Sequence, residues 1–192
     1  MKILIVSLAS QYIHSALSPW YLYYSAKANC SKDITVKVLE GTVNENIDAI
    51  FGRIEKEKPN IVAFSCYIWN LTYVEELIRE IKKIFPSLPI WVGGPEVSYD
   101  ATDVLERLPE VTGVMFGEGE ETFLELLRYY HEDIKMPSKL ENGVAVQSYG
   151  SVMTQVDDAL TKIAGIAYWD KDGNICQNEW RKTIDLSTVP FV

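Results

Sequence analysis

The segment Lys2 to Leu8 reads KILIVSL, an aliphatic run of strand length without alternation, which is the pattern of a strand covered on both faces in a parallel sheet. Three further apolar runs follow at Ile34 to Leu39, Asn60 to Ser65 and Ile90 to Val92, and a fifth spans Val111 to Phe116. The intervening segments carry a helical period. Leu71, Val74, Leu77, Ile78, Ile81 and Phe85 recur at three and four residues, with Thr72 and Glu75 reading as a capping box at the start and Pro86 and Pro89 as the stop. Ile47, Ile50, Phe51 and Ile54 form a second amphipathic face closed by Pro59, and Phe123, Leu126, Leu127 and Tyr130 form a third after Gly119. Tyr21 to Ala28 is predicted helical despite its aromatic load.

Strands alternating with helices over residues 1–133 imply βαβ units with right-handed crossovers. The predicted fold is α/β, a flavodoxin-like (Rossmann-like) doubly wound sheet of five parallel strands in the order 2-1-3-4-5. After residue 133 the periodicity lapses: Pro137, Asn142-Gly143 and Gly150 break up a polar stretch that reads as a connector. Ile163 to Trp169, a turn at Asp170 to Asn174, and Ile175 to Asn178 then predict a hairpin. The organisation expected is therefore a domain over 1–133 and a linker with hairpin over 134–192. The apolar terminus Val189-Pro190-Phe191-Val192 reads as a cut in a longer chain.

Composition narrows the function. With 47% hydrophobic and 23% charged residues the chain can build a core without metal or disulfide staples. A net charge of -9, with Lys82-Lys83 the densest basic cluster, argues against a nucleic-acid partner. Cys30, Cys66 and Cys176 fit neither a metal knuckle nor a disulfide framework, so reduced thiols and a cytoplasmic location are expected. The apolar N-terminal run is too short for a membrane span and lacks the flanks of a signal peptide.

In a sheet of this order, ligands bind beyond the carboxyl ends of the strands, where the first and third strands diverge. The loops there contain His14, Ser65, Tyr67, Trp69, Gly93 and Gly94. A phosphorelay receiver would need carboxylates where this chain has Ser7 and Ser65, and a flavin-phosphate loop would need a glycine that SLASQYIHSAL lacks. Neither a Gly-x-Gly-x-x-Gly after the first strand nor a P-loop is present. Gly117-Glu118-Gly119-Glu120 places acids where a phosphate would want none. No side chain stands out as an acid, base or nucleophile, so binding roles alone are assigned. Each residue also has a plain structural reading: a tight turn for Gly93-Gly94, a satisfied hydroxyl for Ser65, rim aromatics for Tyr67 and Trp69, a solvent-facing His14, and helix N-terminal acids for Glu118, Glu120 and Glu121.

Taken together, these positions resemble the cobalamin-binding domains, particularly those fused ahead of radical S-adenosylmethionine barrels such as the anaerobic magnesium-protoporphyrin IX monomethyl ester oxidative cyclases and related methyltransferases. Where the family pattern has Asp-x-His-x-x-Gly, Ser-x-Leu and Gly-Gly, this chain holds Tyr12-x-His14-x-x-Leu17, Ser65-x-Tyr67 and Gly93-Gly94. GGPEVS at Gly93 to Ser98 and GEGEETF at Gly117 to Phe123 resemble two stretches of the radical-enzyme branch. The likeness extends through Ile163 to Trp169 and on to Asp185-Leu186 and Pro190-Phe191, where that branch's linker meets its barrel. The barrel's Cys-x-x-x-Cys-x-x-Cys motif is not in this sequence.

The resemblance implies base-off cobalamin as cofactor, held by Tyr12, His14, Ser65, Tyr67, Trp69, Gly93, Gly94, Pro95, Glu96, Gly117, Glu118 and Gly119, with His14 the candidate cobalt ligand. Tyr12 in place of the Asp that would orient the imidazole favours an unligated lower face, and Leu17 replaces a Gly at the approach of the nucleotide tail. It further implies S-adenosylmethionine and a [4Fe-4S] cluster in a C-terminal radical domain, a small-molecule substrate, and radical cyclisation or methyl transfer by the whole protein, this segment itself not being catalytic. The rival readings are a stand-alone interaction or sensory module and a nucleotide-binding α/β enzyme.

Overall fold

A computed structural model describes residues 1–11, 16–135 and 157–182. The expected strands all form: β1 (Lys2–Ala9), β2 (Thr35–Thr42), β3 (Ile61–Ser65), β4 (Ile90–Gly93) and β5 (Gly113–Met115). They are joined through α1 (Leu17–Asn29), α2 (Ile47–Glu57), α3 (Leu71–Ile84) and α4 (Ala101–Arg107), with α5 (Gly119–Lys135) following β5. After α6 (Asp157–Leu160) come β6 (Ile166–Trp169) and β7 (Ile175–Gln177).

The five parallel strands take the expected order, and the hairpin adds to the same sheet, giving β2-β1-β3-β4-β5-β6-β7. β6 runs antiparallel to β5 and β7 antiparallel to β6. The connector predicted between Pro137 and Gly150 lies outside the described residues, as do Asp185, Leu186, Pro190 and Phe191.

Because successive side chains of a strand point to opposite faces, the sheet carries two cores. Leu4, Val6, Val62, Phe64, Ile90, Val92 and Val114 pack against the apolar stripes of α2, α3 and α4. Ile3, Ile5, Ile61, Trp91 and Met115 pack against α1, α5 and the segment leading to the hairpin. The first helix-bearing face is filled by large aliphatics to the ends of the strands. The second is not, and that difference positions the site.

Helix ends follow local chemistry. Asn46 caps α2 by accepting from the Asp48 amide at 2.7 Å. At α3 the expected Thr72–Glu75 capping box does not form: the cap residue is Asn70, whose side chain makes no capping bond. Its amide is drawn off by sheet carbonyls instead, and Glu75 pairs with Arg79 and Arg107. α4 carried no clear periodic signal, being only 7 residues long.

Candidate functional site

The last row of the parallel sheet sets Ser7 beside Ser65, Ser65 beside Gly93, and Gly93 beside Met115. By strand alternation these positions face α1 and α5, as does Ala63, which lines a narrow apolar void beneath α5 with Ile3, Ile61, Trp91 and Phe123. The carboxyl end of this face is therefore walled by two hydroxyls, a methyl and a bare backbone. Side chains this small keep the wall thin, and Ser65, half-buried at the end of β3, is the hydroxyl nearest the edge of the sheet. Pairing of β1 with β2 on one side and β3 on the other places this row at the topological switch point.

Above this row, the loop after β3 folds into a flat aromatic platform. Tyr67 and Trp69 stack with centroids 4.5 Å apart and an interplanar angle of 7°. The Tyr67 hydroxyl reaches Ser18 at the start of α1 at 3.0 Å, and the Trp69 indole donates to the Leu8 carbonyl at 3.3 Å. Asn70 shapes the loop from below. Only 1% exposed, it donates to the carbonyls of Leu8 at 2.9 Å and Ser65 at 3.0 Å, and accepts from the Tyr67 amide at 2.8 Å. One side chain thus ties the ends of β1 and β3 together and holds the platform. Sequence reasoning passed over Asn70, although an Asn directly before a helix is a signal for a structured turn.

The two glycines after β4 have different tasks. Gly94 has φ +111°, and a Cβ there would lie 2.5 Å from the Cys66 carbonyl oxygen. The two loops are stitched together by Cys66 N–H to the Gly93 carbonyl at 2.7 Å and Glu96 N–H to the Cys66 carbonyl at 3.4 Å, with the Ser98 hydroxyl on the Gly94 carbonyl at 2.8 Å. Gly94 is thus required by its own neighbour, as a turn would be. At Gly93 a Cβ would lie 3.2 Å from the Met115 carbonyl oxygen on the α1/α5 face, so the bare backbone there lets β4 and β5 pair closely and keeps the sheet wall thin. Pro95 is exposed beyond them, and Glu96 is partly buried. Cys66 itself is fully buried, and burial pushes its thiol up to about 12. It is therefore a neutral packing group at ordinary pH.

The Gly117-Glu118-Gly119 turn stands one strand beyond Gly93, after β5. Gly117 has φ +74°, and Gly119 lets Leu22 of α1 come close, the Cβ position lying 3.4 Å from its Cδ2. Glu120 and Glu121 occupy the first turn of α5 as dipole-favoured acids. A feature not foreseen covers this turn. Trp180, beyond β7, sits 4.8 Å from Phe116 and 6.0 Å from Tyr99 by ring centroids. Tyr12 and His14 lie outside the described residues. Among the described residues no cluster of His, Cys, Asp and Glu could hold a metal ion, and no helix is long and apolar enough to cross a membrane.

Fold and cleft define a doubly wound domain with a switch-point ligand site walled by small residues and an aromatic platform. The model of the B12-binding domain matches residues 8–127, most of the chain, and the chain belongs to that family. It is 38% identical over 69 residues to the 2-(S-pantetheinyl)-carbapenam-3-carboxylate methyltransferase of Streptantibioticus cattleyicolor, and 34% over 70 residues to the cobalamin-dependent radical SAM methyltransferase TokK of Streptomyces tokunonensis. Each match covers 36% of this chain and 10% of the relative. Among solved structures, the cobalamin-dependent S-adenosylmethionine radical enzyme OxsB with aqua-cobalamin and S-adenosylmethionine bound superposes with a TM-score of 0.69 at 18% identity. That match covers 95% of this chain and 22% of the other. The radical S-adenosylmethionine methyltransferase TsrM from Kitasatospora setae gives 0.64 at 16% identity, over 93% of this chain and 30% of the other. The chain thus spans less than a third of each of these larger proteins.

Proposed function

We propose that this chain is the cobalamin-binding domain of a cobalamin-dependent radical S-adenosylmethionine enzyme that transfers methyl groups. The observation that carries the reading is the row Ser7, Ser65, Gly93, with Ala63 beneath, on the face toward α1 and α5. In this reading the cleft takes the nucleotide tail, Ser65 bonds it, Gly93 leaves room for it, and the Tyr67–Trp69 platform with Pro95 underlies the corrin. Tyr12 and His14, at the family's motif positions, would serve the cobalt's lower face, with His14 the candidate ligand. Glu96, Gly94, Gly117, Glu118 and Gly119 shape the surrounding loops. Bound cobalamin supplies a methyl carrier, while the protein's part is to bind, orient and present it.

Residues 1–133 carry these walls, and 134–192 lead through the hairpin to a radical domain, with its own S-adenosylmethionine and [4Fe-4S] cluster, that acts on a small-molecule substrate. Two supports for that partner are the larger size of every relative named above and the place of Trp180 to Lys182, which lie at the ligand edge of the sheet. Methyl transfer is favoured over cyclisation by the names of the two curated relatives. Cys30, Cys66 and Cys176 are thiols outside any disulfide, which suits a reducing cytoplasm.

The test is titration of the purified chain with hydroxocobalamin. Saturable binding with a displaced visible spectrum is expected; an unchanged spectrum at micromolar protein would overturn the reading in favour of an interaction module.

A further inference from the structure

Among the described residues, four large apolar side chains stay exposed at the ligand edge. Ile68, Trp69, Tyr99 and Trp180 are 78%, 48%, 86% and 49% exposed, and all stand on segments beyond the carboxyl ends of β3, β4 and β7. Trp180 is braced from both chain directions. On its N-terminal side, the Asn178 amide group donates to the Leu160 and Ile163 carbonyls at 2.7 Å each. The backbone there adds Asn178 N–H to Ile166 at 2.9 Å and Gly165 N–H to the Glu179 carbonyl at 2.8 Å.

On its C-terminal side stands Arg181, whose side chain is only 12% exposed. Its guanidinium donates to Thr122 Oγ1 at 3.0 Å, to Glu121 at 2.9 Å, to the Ala164 carbonyl at 3.4 Å, and to the Glu125 carboxylate. Thr122 is 0% exposed and itself donates to the Ala164 carbonyl at 3.0 Å. A planar fork with this many acceptors has one orientation, which fixes the residue before it. The indole held this way covers Gly117, where a Cβ would lie 3.4 Å from its Cε3, and leaves about half of its surface open beside Tyr99.

From this bracing we infer that Trp180 is a wall of the ligand site, on the β5 side of the cleft, and that Arg181 is the positioning residue that sets it there. The inference rests on the cobalamin reading above. A flat macrocycle on the Tyr67–Trp69 platform would extend over β4 and β5, and Trp180 with Tyr99 is the aromatic surface that meets it on that side. The hairpin and the strap after it then belong to the binding apparatus.

The experiment is hydroxocobalamin titration of the full 192-residue chain, read by absorbance, with thermal melts of the same samples. Trp180→Ala is expected to weaken binding about tenfold and Trp180→Phe by no more than about threefold, the scale of one aromatic contact. Arg181→Met should weaken binding by a similar factor in the native background and add nothing in the Trp180→Ala background, because it acts through the indole. Arg181→Lys keeps the charge without the fork and should fall between, and it carries the test should Arg181→Met fail to fold. Unchanged affinity in folded Trp180 variants, with only the melting temperature lowered, overturns the inference while leaving the cobalamin reading intact. An Arg181→Met loss that persists undiminished without Trp180 also overturns it. Absence of binding by the native chain removes the cobalamin reading and this inference together.

Discussion

The backbone of Gly94 lies so close to that of Cys66 that a Cβ on the glycine would sit 2.5 Å from the Cys66 carbonyl oxygen. The β3 and β4 loops are thus one unit, locked by backbone alone, and the second glycine of the pair serves the fold before it serves a ligand.

Gly94→Ala is accordingly expected to destabilise the protein. The forbidden φ of +111° costs about 1–3 kcal/mol, and the backbone contact adds to it. At about 2–4 °C per kcal/mol for a chain of this size, a thermal melt should show a fall on the order of 5 °C or more. An unchanged melting temperature would mean that the loops are not joined as described.

Ser65→Leu probes the cleft without touching that joint. Ser65 is only partly buried at the end of β3, so the sheet should form as before. Its longer side chain would occupy the space over Gly93, and hydroxocobalamin affinity should fall at least about tenfold. Equal affinity in the folded variant would move the tail elsewhere.

Asn70→Ala removes three hydrogen bonds at one stroke, those with Leu8, Ser65 and Tyr67. With the Tyr67 amide losing its acceptor, the Ser65 carbonyl losing a donor and the Leu8 carbonyl keeping only the Trp69 indole, the expected loss is about 2–4 kcal/mol, measured by urea unfolding. The Tyr67–Trp69 platform should loosen with it, read as faster acrylamide quenching of indole fluorescence.

How far the sequence spoke for itself differs by residue. Ile3 to Leu8 announced a buried strand because both of its faces are covered, and Leu77, Ile78 and Ile81 announced a helix because one face is. Ser7 was visible as the polar interruption of that strand, and its alignment with Ser65 and Gly93 follows from the strand order that the pattern implied. The task of Gly94 was not legible, since it depends on a loop nearly thirty positions earlier. Nor was the seat of β6 beside β5, because pairing between Met115 and Ile166 is a tertiary fact with no local trace. Trp180 and Arg181 were missed for the same reason: a Trp-Arg pair in a polar tail looks like solvent-facing chain until α5 is set beside it.

Cys66 yields a prediction about pH. Folding raises its thiol from an ordinary 9.0 to about 12, so its contribution is complete below pH 9 and is lost as pH climbs towards 12. The melting temperature of the native protein, taken relative to Cys66→Ala, should be level up to about pH 8.5 and decline above it. At pH 8 a thiol reagent should reach the partly exposed Cys30 and Cys176 and spare Cys66 until the chain is unfolded.

The hairpin sets the end of the sheet at which residues 178–182 stand. One strand antiparallel to β5 would have delivered the chain to the far end of the sheet; a pair, β6 then β7, reverses it twice and returns it to the ligand edge. Adding an even number of strands is thus a spacer with no net travel along the sheet axis. Parity of strand number, a property invisible in any single residue, decides whether the residues after β7 stand beside Gly93 or at the opposite end of the sheet.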